Sequence, residues 1–376
     1  MTDATLRAES VAPTLLAPER ASDAATDAAV DRSAAAPLDL PTVLAPEHRY
    51  VRRGALGRGG MGEVELVLDR GIDRTVAIKR LLRTSPDDVA RFVEEARIVG
   101  RMEHPNIVPV HDIGVDAQGR TYFVMKYVEG ETLLSVIEKL AHGDADTHRR
   151  FPFERRLDLF QGLLRALQYA HEHGVLHRDL KPSNIMIGEF GEVMLMDWGI
   201  ACGFGERSGT APGPSFAGTL GYMSPEQAKG HEDLDPRSDI YGAFVVLFEL
   251  LTLQALVPTA QRTPERLLLE SREPPSAIDP SFTRGGQPPV PTELRHFLRR
   301  GLQPDRARRF ADVPAVLEAL QRLRAGEVPV ECPVTLVKRI SHALSQLLDA
   351  RPWVALVVLA APVLLFAVVL ALGLRD

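Results

Sequence analysis

His177-Arg178-Asp179-Leu180-Lys181-Pro182-Ser183-Asn184 decides how the rest of this chain is read. The eight residues bring together an acid, a cation and an amide. Asp179 can accept a proton from a hydroxyl, Lys181 can neutralise charge on a transferring phosphate, and Asn184 can ligate a divalent metal. That is the group set needed to move a phosphoryl from a metal-bound nucleotide onto a hydroxyl. The stretch alone is a hypothesis, which requires a nucleotide cradle before it and a second metal ligand after it.

The cradle is found upstream. Tyr50 to Leu56 and Gly62 to Asp69 read as strands, the second alternating Val64, Leu66 and Leu68 against Glu63, Glu65 and Val67. Between them, Gly57-Arg58-Gly59-Gly60-Met61-Gly62 lets backbone approach phosphate oxygens closely. A dinucleotide-binding turn uses similar glycines but needs a helix directly after them. Glu63-Val64-Glu65-Leu66 continues as strand instead, which excludes that reading. A third strand, Thr75 to Lys79, ends on a lysine. Lysines at strand ends are common on surfaces, and it is the preceding glycine loop that makes Lys79 a phosphate-binding candidate. Asp87 to Met102 reads as a helix whose apolar residues recur at Phe92, Val93, Ala96 and Val99. Of its acids Glu94 and Glu95, the second lies beside the apolar stripe and is the predicted partner of Lys79. Strands at Ile107 to Val115 and Thr121 to Tyr127 follow.

Downstream the pattern is mostly helical to about Leu323. Glu154 to His173 is an amphipathic helix expected beneath the catalytic stretch, and Ile240 to Leu253 is apolar on nearly all sides. Short strands Ile185 to Ile187 and Val193 to Met196 bracket a glycine turn, and Asp197-Trp198-Gly199 follows at once, supplying the second metal ligand. Ile200 to Phe216, rich in Gly, Ser and Pro, reads as a mobile segment. Glu293 to Leu302 and Val313 to Leu323 are closing helices.

Composition bounds the remaining choices. The 376 residues are 45% hydrophobic and 25% charged, ordinary for a globular chain. A net charge of −6 supplies no basic field for nucleic acid. Two cysteines make no disulfide framework and fit reducing surroundings. Residues 1–45, rich in Ala, Pro, Asp and Thr, read as disordered and lack a signal peptide's apolar core. A near-repeat, Pro13 to Glu19 and Pro41 to Glu47, leaves two readings open: chance in a biased linker, or a duplicated docking or phosphoacceptor element at Thr14 and Thr42. At the other end, Trp353 to Leu374 is 22 residues without a charge. At about 1.5 Å per residue this spans a hydrocarbon core of about 30 Å, and Pro362 is tolerable there. Lys338, Arg339 and Arg351 precede it and Arg375 follows, so the N-terminal side is expected to be cytoplasmic. In the juxtamembrane stretch 324–352, Leu336, Val337, Ile340, Ala343, Leu344, Leu347 and Leu348 mark one face of a helix that could lie on the membrane or pair with a second copy. With so little chain after the span, no external sensor domain is expected on it.

Gly57 to Val64, Val76 to Lys79, His177 to Asn184, Asp197 to Gly199 and Ser224-Pro225-Glu226 occur in the order and context of the eukaryotic-like protein kinases, which residues 50–323 resemble. The chain resembles a bacterial membrane-anchored (Hanks-type) serine/threonine kinase. The resemblance implies an α+β fold of two lobes, β-rich then helical, with a single C-terminal transmembrane helix in the inner membrane. It implies ATP with Mg²⁺ or Mn²⁺, protein substrates, autophosphorylation, and a homodimer for phosphorylation in trans. By the same resemblance Leu56, Gly57, Gly59, Gly60 and Gly62 cover the nucleotide, and Val64 and Ala77 wall the adenine. Met125 is the gatekeeper, with Lys126, Tyr127 and Val128 as hinge. Lys79, held by Glu95, contacts phosphates, while Asp179 is the base and Lys181 supports the γ-phosphate. Asn184 and Asp197 hold the metal, Glu226 pairs with Arg309, and Asp239 braces the catalytic loop. Arg178 receives a phosphorylated residue, with Ser208, Thr210 and Ser215 as candidates, and Thr219 lines the substrate site. His177 is expected to be a structural core histidine.

Four departures are visible: Trp198 for the usual Phe, Ser224 for Ala, Lys126 at a hinge position where an acid is common, and an activation segment without the paired threonines often seen in bacterial relatives. Two rivals are weighed. A catalytically silent pseudokinase scaffold is opposed by intact Lys79, Asp179, Asn184 and Asp197. A small-molecule kinase of related fold generally lacks the stretch Gly218 to Glu226.

Overall fold

Strand alternation from Tyr50 onward folds into a five-stranded antiparallel sheet in the order β1-β2-β3-β5-β4, with β1 Tyr50–Arg58, β2 Gly62–Asp69, β3 Arg74–Leu81, β4 Val110–Val115 and β5 Thr121–Lys126. The structure is a computed structural model that describes residues 49–59, 62–83, 85–198, 202–203, 219, 221–257, 286–327 and 333–350. The chain separates into two units, Met1–Val43 and Leu44–Asp376, and the first lies outside the described residues. So do Thr14, Thr42, Gly60, the candidates Ser208, Thr210 and Ser215, and the uncharged run 353–374. Among the described residues no helix is long and apolar enough to cross a membrane.

The register opposes Val64 to Lys79 and Leu66 to Ala77. Directly opposed residues share a sheet face, so these four line the face turned to the helical lobe. The other face closes on its own cluster of Val67, Val76, Ile78, Tyr122 and Val124. Burial on β2 therefore runs opposite to the apolar alternation. Glu65, Val67 and Asp69 are buried, while Val64, Leu66 and Leu68 are half-buried. Ion pairs make this possible: Arg52 and Arg80 flank Glu65, and Arg49 meets Asp69 at 2.9 Å. The strand expected from Ile107 begins only at Val110. Pro109 has no N–H to give a ladder, and Ile107 instead bridges in parallel to Leu195 of the helical lobe.

Helix α1 (Pro86–Gly100) starts where Ser85 accepts from the Asp88 N–H, with Pro86, Asp87 and Asp88 suiting its first turn. It buries Phe92, Glu95, Ala96 and Val99, which recur at helical spacing on one face. Phe92 and Ala96 pack on Leu81 and Phe123 of the sheet. A buried glutamate on that stripe is costly unless paired, and its partner belongs to the site below.

The helical lobe comprises α2 (Leu133–Ala141), α3 (Ala145–Arg150), α4 (Phe153–Glu172), α5 (Pro225–Ala228), α6 (Pro236–Thr252), α7 (Thr292–Gly301), α8 (Val313–Arg324) and α9 (Pro333–Ala350). One core cluster joins α4 to α6 through Leu157, Phe160, Leu164, Ile240, Phe244 and Leu247. Helix α6 is buried over nearly its whole length, as its apolar sequence predicts. Gly301 closes α7 against the ring of Phe244, where a Cβ would stand 2.1 Å from Cγ. Gly301→Ala is expected to destabilise the chain by about 1–3 kcal/mol through overpacking, read from a denaturant melt. An unchanged midpoint would mean the ring has room to move.

Candidate active site

After a short strand β6 (Gly130–Thr132), the catalytic stretch runs from β7 (Val175–Leu176) through a one-turn helix, Pro182–Asn184, into β8 (Ile185–Gly188). Arg178 at its centre has φ of +66°, a left-handed conformation that a side chain rarely adopts. Such strain persists only where the surroundings over-determine it. Here Asp239 accepts from the His177 and Arg178 N–H groups at 2.8 and 2.9 Å, and Gln227 donates to the Arg178 carbonyl at 2.8 Å. Asp239 is itself buried and accepts from His171 Nε2 at 2.9 Å. Burial would raise its carboxyl, but His171 and these N–H groups hold it below the ordinary carboxylate range.

His177 is fully buried beside the Trp198 ring, centroids 4.7 Å apart. Its Nδ1 accepts from the Asp179 N–H and its Nε2 lies 3.2 Å from the Met196 carbonyl, so these partners assign the proton to Nε2. Burial pushes its pKa down. The imidazole is thus neutral and supports the backbone. Trp198 belongs to the core cluster that also holds Val99 of α1, and its Nε1 is buried with no hydrogen-bond partner among the described residues.

That support leaves Asp179 pointing at a ring of donors. Oδ1 accepts from the Thr219 N–H and hydroxyl at 2.8 and 2.9 Å. Oδ2 accepts from Lys181 Nζ at 2.6 Å and, at 3.4 Å, from Asn184 Nδ2. Lys181 also reaches the Thr219 hydroxyl at 3.0 Å. Asn184 Nδ2 donates to the Asp179 carbonyl at 3.0 Å, which leaves Oδ1 as the atom available to a metal.

A second cluster forms where the lobes meet. Lys79 Nζ, from β3, contacts Glu95 of α1 at 2.7 Å and Asp197, just beyond β9 (Val193–Leu195), at 3.1 Å. Glu94 makes no contact with it. Burial would lower the Lys79 pKa, but the two carboxylates outweigh it and hold the lysine above its usual value. Glu95 moves up as well, pushed first by burial and then by Asp197, against the pull of Lys79. Asp197 contributes to both shifts, because two carboxylates around one cation leave the cluster short of positive charge. Asp197, with φ of +60° and a side chain 39% exposed, is the carboxylate open to a further cation.

The donor set fits Mg²⁺, a hard cation usually held by one or two side-chain oxygens with phosphate and water completing its shell. Among the described residues no group of three or more His, Cys, Asp or Glu could hold a metal alone. Gly57 and Gly59 have nothing within 4 Å of where a Cβ would stand, so backbone there is open to a bulky anion. A Cβ on Gly62 would meet the Arg80 carbonyl at 2.5 Å, so its glycine is required by the β2–β3 pairing itself. Leu56 is exposed, Val64 half-buried and Ala77 buried. Beyond the lysine, Met125, Val128 and Met186 join Val108, Met194 and Met196 in an apolar cluster between the lobes. Lys126 donates its N–H to the Pro109 carbonyl, and Tyr127 is half-buried.

Glu226 and Arg309 form a bidentate pair at 2.7 and 2.8 Å, with Ser238 adding a third donor. Beside Lys181 a cavity of about 390 Å³ is lined by Leu134, Ile137, Glu138, Thr219 and Glu249 among others. Sequence reasoning placed Thr219 at a substrate surface but not as a donor to Asp179, and it missed His171, Gln227 and Met186 altogether. No local signal marks these; the partner of His171 is 68 residues away. Arg178 has a half-buried side chain whose Nε lacks a partner among the described residues.

The family model described as "Protein kinase domain" matches residues 50–322. The chain is 35% identical over 308 residues to a protein of Bifidobacterium longum named "Probable serine/threonine-protein kinase PknB", covering 77% of this chain and 42% of the relative. It is 39% identical over 246 residues to another protein whose name begins "Probable serine/threonine-protein kinase", from Streptomyces coelicolor, covering 62% and 35% respectively. With PknB of Mycobacterium leprae it shares 33% over 295 residues, covering 77% and 45%. The chain thus spans less than half the length of these curated relatives.

Proposed function

The chain belongs to the bacterial eukaryotic-like serine/threonine protein kinases, and from that premise we propose that it transfers the γ-phosphate of ATP to serine and threonine hydroxyls of proteins, itself included, at a membrane. One observation carries the catalytic part. Lys79 touches both Glu95 and Asp197, so strand, helix and metal-binding aspartate are assembled in one cluster. A silent scaffold would not need all three in contact.

Mg²⁺–ATP, when bound, supplies the transferable phosphoryl and shields its charge. Everything else falls to the chain's own residues. The open backbone at Gly57 and Gly59 would cover the phosphates, and Lys79 would neutralise their charge. Asn184 Oδ1 and the Asp197 carboxylate would hold the metal. Lys181, tethered to both Asp179 and Thr219, would offset the negative charge that grows on the transferring group. Asp179 orients the acceptor hydroxyl and takes its proton. Positioned charge of this kind is most of what phosphoryl transfer requires. The cavity beside Lys181 lies next to the acceptor position and suits a side chain of a protein substrate.

The membrane part rests on sequence: residues 353–374 carry no charge, and basic residues lie mainly before them. This reading places the catalytic unit on the cytoplasmic side of the inner membrane. The full chain, purified in detergent and given Mg²⁺ and γ-labelled ATP, is expected to label serine and threonine in itself and in an added unstructured protein. Nucleotide binding without transfer would favour the scaffold, and label confined to tyrosine would overturn the substrate class. Membranes washed at alkaline pH are expected to retain the chain; its release would remove the anchor.

A further inference from the structure

Helix α9 (Pro333–Ala350) packs on the catalytic unit the wrong way round for a water-soluble helix. Its polar side faces the protein. Thr335 is fully buried, Lys338 Nζ meets Glu293 of α7 at 2.6 Å, and the His342 ring lies on the turn at Gly326, where a Cβ would come within 2.6 Å of it. Its apolar side faces out: Leu336, Val337 and Ile340 are each between 45% and 65% exposed. At 100° per residue these three continue into half-buried Leu344 as a single stripe, opposite Thr335 and His342. A soluble domain that seats the polar face of a helix and exposes its apolar face needs something apolar to cover that face.

We propose that a lipid bilayer surface is the occupant: α9 lies in the membrane interface with the Val337–Ile340–Leu344 stripe immersed, holding the catalytic unit against the bilayer in a fixed orientation. Three observations favour lipid. The helix ends at Ala350, two residues before the uncharged run 353–374, so its stripe cannot stand far from a bilayer that the run enters. Exposed Arg339 borders the stripe and Arg351 follows the helix, placing cations at headgroup level. The Lys338–Glu293 pair and the seated His342 ring tie the opposite face to the protein. An interfacial helix needs this division between a wet or protein-bound face and an immersed one. The inference rests on the anchor reading above.

The test uses the full chain carrying Cys202→Ser and Cys332→Ser, with one cysteine introduced by Ile340→Cys or, on the polar side, Ser345→Cys. Each is labelled with an environment-sensitive fluorophore and reconstituted into vesicles of neutral and anionic phospholipid. Expected is a blue-shifted label at 340, quenched by nitroxide lipids and several-fold less accessible to iodide than the label at 345. Adding Leu344→Glu is expected to restore iodide access at 340 while the chain still floats with the vesicles. If the chain floats but both labels quench alike with iodide, the interfacial helix is overturned and the anchor stands. Failure to float overturns both. Efficient disulfide formation between two copies at position 340, with no lipid quenching, overturns the proposal in favour of a second copy as occupant.

Discussion

Asp179→Asn is expected to lower phosphoryl transfer by about 10²–10⁴-fold, the range that a positioned general base contributes, while fold and nucleotide binding stay intact. The substitution keeps the shape of the side chain. What changes is the match to its neighbours. Both carboxylate oxygens accept in the native site, Oδ1 from Thr219 and Oδ2 from Lys181 and Asn184. An asparagine amide must present its NH₂ to one of these donor sets, and it has no basic oxygen to receive the acceptor's proton. Lys181 loses its counter-charge as well. The check is the initial rate of γ-phosphate incorporation, run beside a thermal melt and a nucleotide-binding titration. A variant within tenfold of the native rate would remove Asp179 from the mechanism; a collapsed melt would assign it a structural role instead.

Arg309→Met is expected to cost about 3–5 kcal/mol of stability, the usual result of stripping one partner from a buried ion pair. For a domain of this size that amounts to a fall in Tm on the order of 10 °C. The Arg309 side chain has no exposed surface, and its guanidinium also donates to the Arg237, Gln303 and Pro304 carbonyls. In the variant the Glu226 carboxylate keeps Ser238 and its own backbone N–H. The pH dependence distinguishes charge from lost packing. Burial would raise the Glu226 carboxyl, but Arg309 outweighs it and holds the pKa below the ordinary value. That contribution is therefore present above the unfolded glutamate pKa of about 4.3 and is lost as pH falls through the lower folded value. In Arg309→Met burial loses its main opponent, so Glu226 takes up a proton more readily and the penalty shrinks in acid. The native–variant gap in Tm should be widest near neutrality and narrower near pH 4. A gap that does not vary with pH would make the loss one of packing.

Both experiments concern residues whose roles were legible to unequal degrees. The order of the glycine loop, the strand lysine, the catalytic octapeptide and the metal aspartate is a local property, because each group must leave a turn or strand end at a set place. The sequence therefore points to them. Glu95 could be chosen over Glu94 because helical spacing puts it on the apolar stripe, and the structure places it 2.7 Å from Lys79. Burial on β2 could not be read this way. Alternation shows that a strand has two faces, not which one a neighbouring sheet surface and its arginines will close.

The motifs in their order pointed to phosphoryl-transfer chemistry, and their resemblance to the protein kinases implied two lobes with that chemistry at the junction. Neither could show that Asp239 holds two N–H groups of a strained Arg178 peptide, that Thr219 binds Asp179, or that α9 turns its polar face inward. Those depend on partners tens of residues apart in sequence: 40 between Asp179 and Thr219, 61 between Arg178 and Asp239 and 45 between Glu293 and Lys338. A hydrogen bond or a packed face is a match between two surfaces, and only the folded chain brings the second surface into place.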